Sequence, residues 1–236
     1  MLNTGGSSQV PVWSPDGTRV VYRATRSGAR YLSWKAVDNA AQEQQLTTST
    51  TGSDTPSSFS PDGRQLAFTR SASTGTDLCV MPMVGNGTAR TLLASGVRRT
   101  PQFSRDGRWL AYESSESGRL EVYVQPFPAM DHKWLISTEG GVEPRWSRNS
   151  GELFYRNGDK FMAVAMTTQP TFSAAAPRQL FQGHDVPTLT NSTGYDVSPD
   201  GQRFLMVEPV EAQAPVTEVE IVMNWFEELK RLVPAK

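Results

Sequence analysis

Val12-Trp-Ser-Pro-Asp-Gly-Thr-Arg-Val-Val-Tyr22 opens a pattern that the chain repeats four more times. The later copies are Ser58-Phe-Ser-Pro-Asp-Gly-Arg-Gln-Leu-Ala-Phe68, Gln102-Phe-Ser-Arg-Asp-Gly-Arg-Trp-Leu-Ala-Tyr112, Arg145-Trp-Ser-Arg-Asn-Ser-Gly-Glu-Leu-Phe-Tyr155 and Asp196-Val-Ser-Pro-Asp-Gly-Gln-Arg-Phe-Leu-Met206. They align without gaps on Ser14, Ser60, Ser104, Ser147 and Ser198, at steps of 46, 44, 43 and 51 residues. Each copy reads as a β-hairpin. Ser suits the first position of a type I turn, Pro fixes φ at the second, and Gly accepts the left-handed position that ends a short hairpin loop.

Two further strands complete each unit. Third strands are expected at 31–37, 77–83, 121–127, 160–166 and 220–225, and fourth strands around Leu46, Leu92, Leu135 and Leu180. Pro82 and Pro126 fall in third strands, so strand ends or bulges are expected there. Four strands per repeat of about 45 residues is the arithmetic of a β-propeller blade. The expected fold is therefore all-β: one propeller domain over residues 1–236, with five recognisable antiparallel blades.

The fifth repeat lacks a fourth strand, and residues 1–4 offer one in register. Pairing of 1–4 with 219–224 would close the ring and leave no bare edge. The same start would also suit a chain taken from a larger ring. A short helix is expected over 225–232, with Asn224 as cap and Glu227 in capping-box position, stopped by Pro234.

Composition narrows the function classes. Lys and Arg (23) balance Asp and Glu (24), so no basic field is available for nucleic acid. Cys79 is the single cysteine, which excludes an intrachain disulfide and a cysteine metal cluster and leaves the redox compartment open. No apolar run of 18 residues occurs, so no membrane helix is expected. The first eight residues lack the charged and apolar regions of a signal peptide.

The repeat resembles the PD40, or TolB-like, variant of the WD40 propeller. In the second half, Val122-Tyr-Val-Gln-Pro-Phe-Pro128, Gly140-Gly-Val-Glu-Pro-Arg-Trp-Ser147, Glu152-Leu-Phe-Tyr155 and Asn224-Trp-Phe-Glu-Glu-Leu-Lys230 resemble the C-terminal propeller of bacterial serine/threonine kinases. That resemblance implies a sensory or protein-interaction role in a signalling protein, outside the cytoplasm, with a kinase domain and commonly a membrane segment preceding the propeller. Departures are Arg105 in place of Pro, the shifted glycine of Asn149-Ser150-Gly151, and Val197 in place of an aromatic. These 236 residues hold no kinase domain, so kinase activity does not transfer.

Chemistry-bearing patterns are few. His132 and His184 lie in separate blades and read as surface loop residues. There is no His-Glu-x-x-His pattern and no Gly-x-Ser-x-Gly elbow. Gly85-Asn-Gly87 reads as a hairpin turn. Asp16, Asp62, Asp106 and Asp200 recur one per blade, which spreads them round a ring where no calcium shell could form, so they read as turn residues. Trp13, Phe59, Phe103 and Trp146 read as packing between blades. No cofactor and no metal are expected.

Binding is expected in the loops entering the inner strands, 5–9, 49–55, 95–100, 139–143 and 184–194, which share one face around the channel. The candidate residues are Arg98, Arg99, Glu143, Arg145, His184, Asp185, Tyr195 and Asp196. The leading expectation is a non-catalytic module that binds a protein or small ligand on this channel-mouth face. An alternative is a glycan-active or small-molecule-processing propeller, with Glu143 and Asp196 as the pair of carboxyl groups such hydrolysis requires. A third is a periplasmic scaffold resembling TolB, which would bring a signal peptide and an N-terminal domain. Oligomeric state is not legible.

Overall fold

The computed structural model describes residues 6–38, 42–48, 52–73, 75–85, 87–148, 151–169, 171–183 and 193–206. The expected ring closure (1–4 with 219–224), the third strand at 220–225 and the helix at 225–232 lie outside them. So do Asn86 of the Gly85-Asn-Gly87 turn, and Asn149 and Ser150.

The described chain is a series of antiparallel blades in sequence order. The first holds β1 (Ser7–Trp13), β2 (Arg19–Arg26), β3 (Ala29–Ala36) and β4 (Gln44–Gln45). The second holds β5 (Ser53–Phe59), β6 (Gln65–Ala72), β7 (Gly75–Pro82) and β8 (Arg90–Leu93). The third holds β9 (Arg98–Phe103), β10 (Trp109–Ser114), β11 (Glu121–Pro126) and β12 (Trp134–Leu135). The fourth holds β13 (Val142–Trp146), β14 (Glu152–Asn157), β15 (Lys160–Thr167), a short β16 (Ser173–Ala174) and β17 (Arg178–Gln182). Of the fifth, β18 (Tyr195–Val197) and β19 (Phe204–Met206) are described. Within each blade consecutive strands pair antiparallel, except that β16 and β17 both pair with β15, and Arg30 opposite Ser53 joins the first two blades into one sheet. Pro82 and Pro126 are the last residues of β7 and β11, where a missing N–H interrupts little.

One local device sets the hairpin between first and second strands in the first, second, third and fifth blades. In the first blade, Gly17 N–H donates to the Ser14 carbonyl at 2.9 Å, and Ser14 N–H donates to the Arg19 carbonyl at 2.9 Å. With the Ser14 carbonyl occupied by the turn, Arg19 N–H donates instead to Ser14 Oγ at 2.9 Å. The same hydroxyl approaches Asp16 Oδ1 to 2.5 Å, and that carboxylate also accepts Thr18 N–H at 3.0 Å. Serine is needed because one oxygen must accept and donate at once. The arrangement recurs at Ser60 with Asp62, Ser104 with Asp106, and Ser198 with Asp200. Gly17 has φ +71, and the glycines of the other copies take the same left-handed conformation, which side-chain-bearing residues adopt only with strain. The repeated aspartates are thus turn acceptors.

The hairpins fix which faces the strands present, and neighbouring blades bury them. Val21 and Leu32 of the first blade pack with Leu66 and Phe68 of the second, flanked by Phe59. Ala67, Leu78 and Val80 meet Phe103, Leu110 and Tyr112 across the next seam. Ala111, Val122 and Val124 meet Leu153, Tyr155 and Val164, with Trp146 beside them. Phe154 and Phe161 meet Tyr195, with Phe204 beside them. Because a neighbour covers each face, β6 buries Leu66, Ala67 and Phe68 in succession, without the alternation of a half-exposed strand. The aromatic series behaves as expected at Phe59, Phe103 and Trp146. Trp13 differs: it is 58% exposed.

Ser104→Ala removes both hydrogen bonds of the turn hydroxyl and leaves Trp109 N–H without its acceptor. A loss of about 1–3 kcal/mol in stability is expected by chemical denaturation, with an unchanged slope. The turn carboxylates also make stability acid-sensitive. Hydrogen bonds from Ser14 and then Thr18 hold Asp16 at about 2, and hydrogen bonds led by Ser60 and Ser198 hold Asp62 and Asp200 below the usual carboxylate range. A depressed folded value contributes above the unfolded value of about 3.9 and is lost as pH falls through the folded one. The denaturation midpoint is expected to drop between about pH 4 and pH 2, and less steeply in an Asp16→Asn, Asp62→Asn double variant.

Candidate functional site

Each inner strand carries a break four residues before its serine. Val10, Thr100 and Glu143 have φ of +54, +46 and +57, and Pro56 occupies the equivalent place in the second blade. The pairing register slips at these points in β1, β5, β9 and β13, the signature of a β-bulge. Such φ values are rare for β-branched Val and Thr and cost on the order of 1–3 kcal/mol each. Pro11, Pro101 and Pro144 follow the three left-handed residues, at places where no ladder donor is required.

The bulges turn the next residues toward the axis. Val10, Pro11, Val12 and Pro56 form the apolar part of a cavity of about 200 Å³ between the inner strands. Ser57, Thr100, Gln102, Arg145 and Thr193 form its polar part. Neighbouring inner strands are tied here by side chains. Ser58 Oγ donates to the Pro101 carbonyl at 2.9 Å and accepts Phe103 N–H at 3.1 Å. Two such links cross the next seam: Trp146 Nε1 donates to the Gln102 carbonyl at 3.1 Å, and Arg145 Nη1 donates to Gln102 Oε1 at 3.1 Å. Arg145 Nη2 also donates to Thr193 Oγ1.

Behind the channel lies a buried polar layer. Glu143 has no solvent exposure; its carboxylate accepts Gly194 N–H at 3.1 Å and faces Arg156 Nη1 at 3.4 and 3.5 Å. Its own N–H donates to Glu113 Oε1 at 2.9 Å, and Thr100 Oγ1 donates to the same oxygen at 2.5 Å. Burial pushes the Glu113 carboxyl above its ordinary range, against the opposing pull of those two hydrogen bonds. Tyr195 is buried with its hydroxyl donating to the Glu143 carbonyl at 2.8 Å, and burial holds that phenol well above its usual value.

The expected site residues thus divide. Arg145 lines the channel. Arg99 stands opposite Glu113 in the ladder, half-exposed. Asp196 is exposed, its carboxylate accepting Val197 N–H at 2.9 Å. Arg98 is buried and pairs with Glu116 at 3.4 Å, and it is not among the residues that line the cavity. Glu143 and Tyr195 are internal, and this corrects their reading as loop-surface groups. It also removes the pairing of Glu143 with Asp196 over a substrate, since Arg156 and Gly194 already hold the Glu143 carboxylate. His184 and Asp185 lie outside the described residues. His132 is exposed, with Nδ1 3.2 Å from the Asp131 carboxylate and its ring on Trp134.

Sequence reading missed Gln102, Glu113, Arg156 and Thr193. A signal existed for two of them. Nine residues after the first four serines stand Arg23, Thr69, Glu113 and Arg156, polar residues closing an otherwise apolar strand. Among the described residues, no group of three or more His, Cys, Asp or Glu is placed to hold a metal, and no helix is long and apolar enough to cross a membrane.

The sequence profile of the TolB β-propeller domain, PD40, matches residues 1–182. The chain belongs to that family. Among solved structures, a TolB-like protein of Agrobacterium tumefaciens is similar at a TM-score of 0.60 and 19% identity, over 83% of this chain and 73% of that one. TolB of Acinetobacter baumannii gives 0.58 and 22%, over 76% of this chain but 44% of its own. A prolyl endopeptidase gives 0.53 and 12%, over 85% of this chain and 34% of that enzyme. These identities carry the propeller fold alone. No curated protein sequence matches the chain.

Glu113 yields a test of the buried layer. Its raised folded value means that stability is lost as pH rises through that value, so the ionised form is the costly one at neutral pH. Glu113→Gln keeps the acceptor for Thr100 and the Glu143 N–H. It is expected to melt above the parent at neutral pH, with the gap closing below the ordinary glutamate range of about 4.3. A lower melting temperature at neutral pH would show instead that the ionised carboxylate is favoured there.

Proposed function

We propose that residues 1–236 act as one non-catalytic binding propeller, holding a protein or small ligand at the channel-mouth face. The observation that supports it most is the use of the carboxyl groups behind the channel. Glu143 is held by Arg156 and Gly194, and Glu113 by Thr100 and the Glu143 amide, so neither is presented to a substrate. What the inner strands do present is a cavity with an arginine, an amide and hydroxyls set in an apolar wall. Fixed polar groups in an apolar concavity are the ordinary anatomy of a recognition site.

Motifs from Val122 to Lys230 support a place in a bacterial signalling protein, where a C-terminal propeller senses on behalf of a preceding domain. In that setting the propeller lies outside the cytoplasm. Its ligand biases the signalling protein between states through differential affinity.

The mouth itself is tested with Arg99→Glu and Asp196→Lys, which alter rim charges; the Arg99 charge also draws on the buried Glu113 carboxyl, so Asp196→Lys alone is the control for stability. Cross-linking in a bacterial envelope extract identifies what the intact chain captures. The double reversal is expected to slow association with that partner at least tenfold, and Asp196→Lys alone to slow it with melting temperature unchanged, because rim charges act mainly on encounter. Undiminished capture would place the binding surface elsewhere.

A further inference from the structure

We propose that the channel cavity is a carboxylate-binding subsite with Arg145 as its anion-recognising residue, an inference that rests on the binding role of the channel-mouth face. Arg145 carries five N–H donors on a permanent charge. The partners it makes are neutral: Gln102 Oε1 at 3.1 Å and Thr193 Oγ1. Among the described residues no carboxylate lies within ion-pair distance of it. The nearby acids are otherwise engaged. Glu143 faces Arg156, Glu113 is buried against Thr100, and Asp196, the equivalent residue on the following inner strand, accepts its own neighbour's N–H. Arg145 therefore brings a positive charge to the cavity wall, while Gln102 and Thr193 fix the plane of its guanidinium.

The rest of the wall sets the ligand's shape. Val10, Pro11, Val12 and Pro56 are apolar and stand on the bulged strands, so the body beyond the carboxylate is short and apolar. The space of about 200 Å³ falls below the range of about 300–1,000 Å³ for drug-sized ligands. It is the room of roughly seven waters at about 30 Å³ each, which suits one acidic group of side-chain size. Thr193 Oγ1 accepts from Arg145, which leaves its hydrogen to donate to a carboxylate oxygen. The planar guanidinium prefers a planar two-oxygen acceptor. The same chemistry is offered by a free short carboxylate, by an acidic side chain of a partner, and by a chain-terminal carboxylate.

The test is titration of the intact chain, followed by NMR and calorimetry, with isobutyrate, N-acetyl-glutamate methylamide and N-acetyl-alanine. The corresponding neutral amides are the controls. Carboxylates are expected to bind and the amides to bind at least about tenfold more weakly, as a hydrogen-bonded charge requires. Arg145→Gln is expected to abolish that preference, and Arg145→Lys to restore part of it without the two-point geometry. Preference for isobutyrate points to a free metabolite, and preference for one of the two amino-acid probes tells a partner's side chain from its chain end; each supports the subsite. Equal binding of acid and amide, unchanged affinity in Arg145→Gln, or no binding of any carboxylate overturns it. If Arg145→Gln does not fold, Val12→Trp fills the cavity from the first blade, and carboxylate binding that survives it overturns the subsite. Rim reversals at Arg99 and Asp196 read separately. Partner capture lost there but intact in Arg145→Gln keeps the binding face and rejects the carboxylate subsite.

Discussion

In four of the five hairpins a single serine oxygen accepts a backbone N–H from across the turn while donating to an aspartate two residues on. That constraint decides the register of the first two strands, and register decides which side chains reach the neighbouring blade. Because side chains alternate faces, a slip of one residue would carry Val21, Ala67 and Ala111 away from the seams that bury them. The turn contributes little apolar burial of its own. It makes the burial elsewhere possible by fixing direction.

The inner strands face a different problem. Propeller blades pair their strands within a blade, so neighbouring inner strands meet through side chains. The structure answers with polar links two residues before the serine, at Ser58, Gln102 and Arg145, and with bulges that aim them. The left-handed Thr100 and Glu143 are tied to one group, since the Thr100 hydroxyl and the Glu143 N–H both donate to Glu113 Oε1. Strain, cavity and arginine thus share one cause, the need to turn an inner strand toward the axis while its outer edge stays in the ladder.

The buried acids show how burial and function compete. Glu143 and Glu113 sit one layer behind the channel, and each is satisfied by partners from an adjacent blade or loop. Such groups lock the blades' relative positions because an unpaired buried charge would be far costlier than the pair. They are expensive to place and specific in what they accept, which fits a rigid scaffold presenting a fixed site.

The amino-acid order alone determined the repeat, the hairpins and the seams filled by Phe59, Phe103 and Trp146. These follow from contacts within about ten residues and from a regular period. Tertiary structure alone decided which loop residues face the channel. Glu143 and Arg145 are two apart in one strand, yet a positive φ between ladder and axis sends one into the core and the other to the cavity. Arg98 and Arg99 are adjacent and diverge in the same way. Whether a charge is buried depends on the partner that waits for it, and Arg156, Gly194, Gln102 and Thr193 come from places 13 to 51 residues away in the chain. No local pattern carries that information, because the bulge that aims each side chain is fixed by neighbours on another blade.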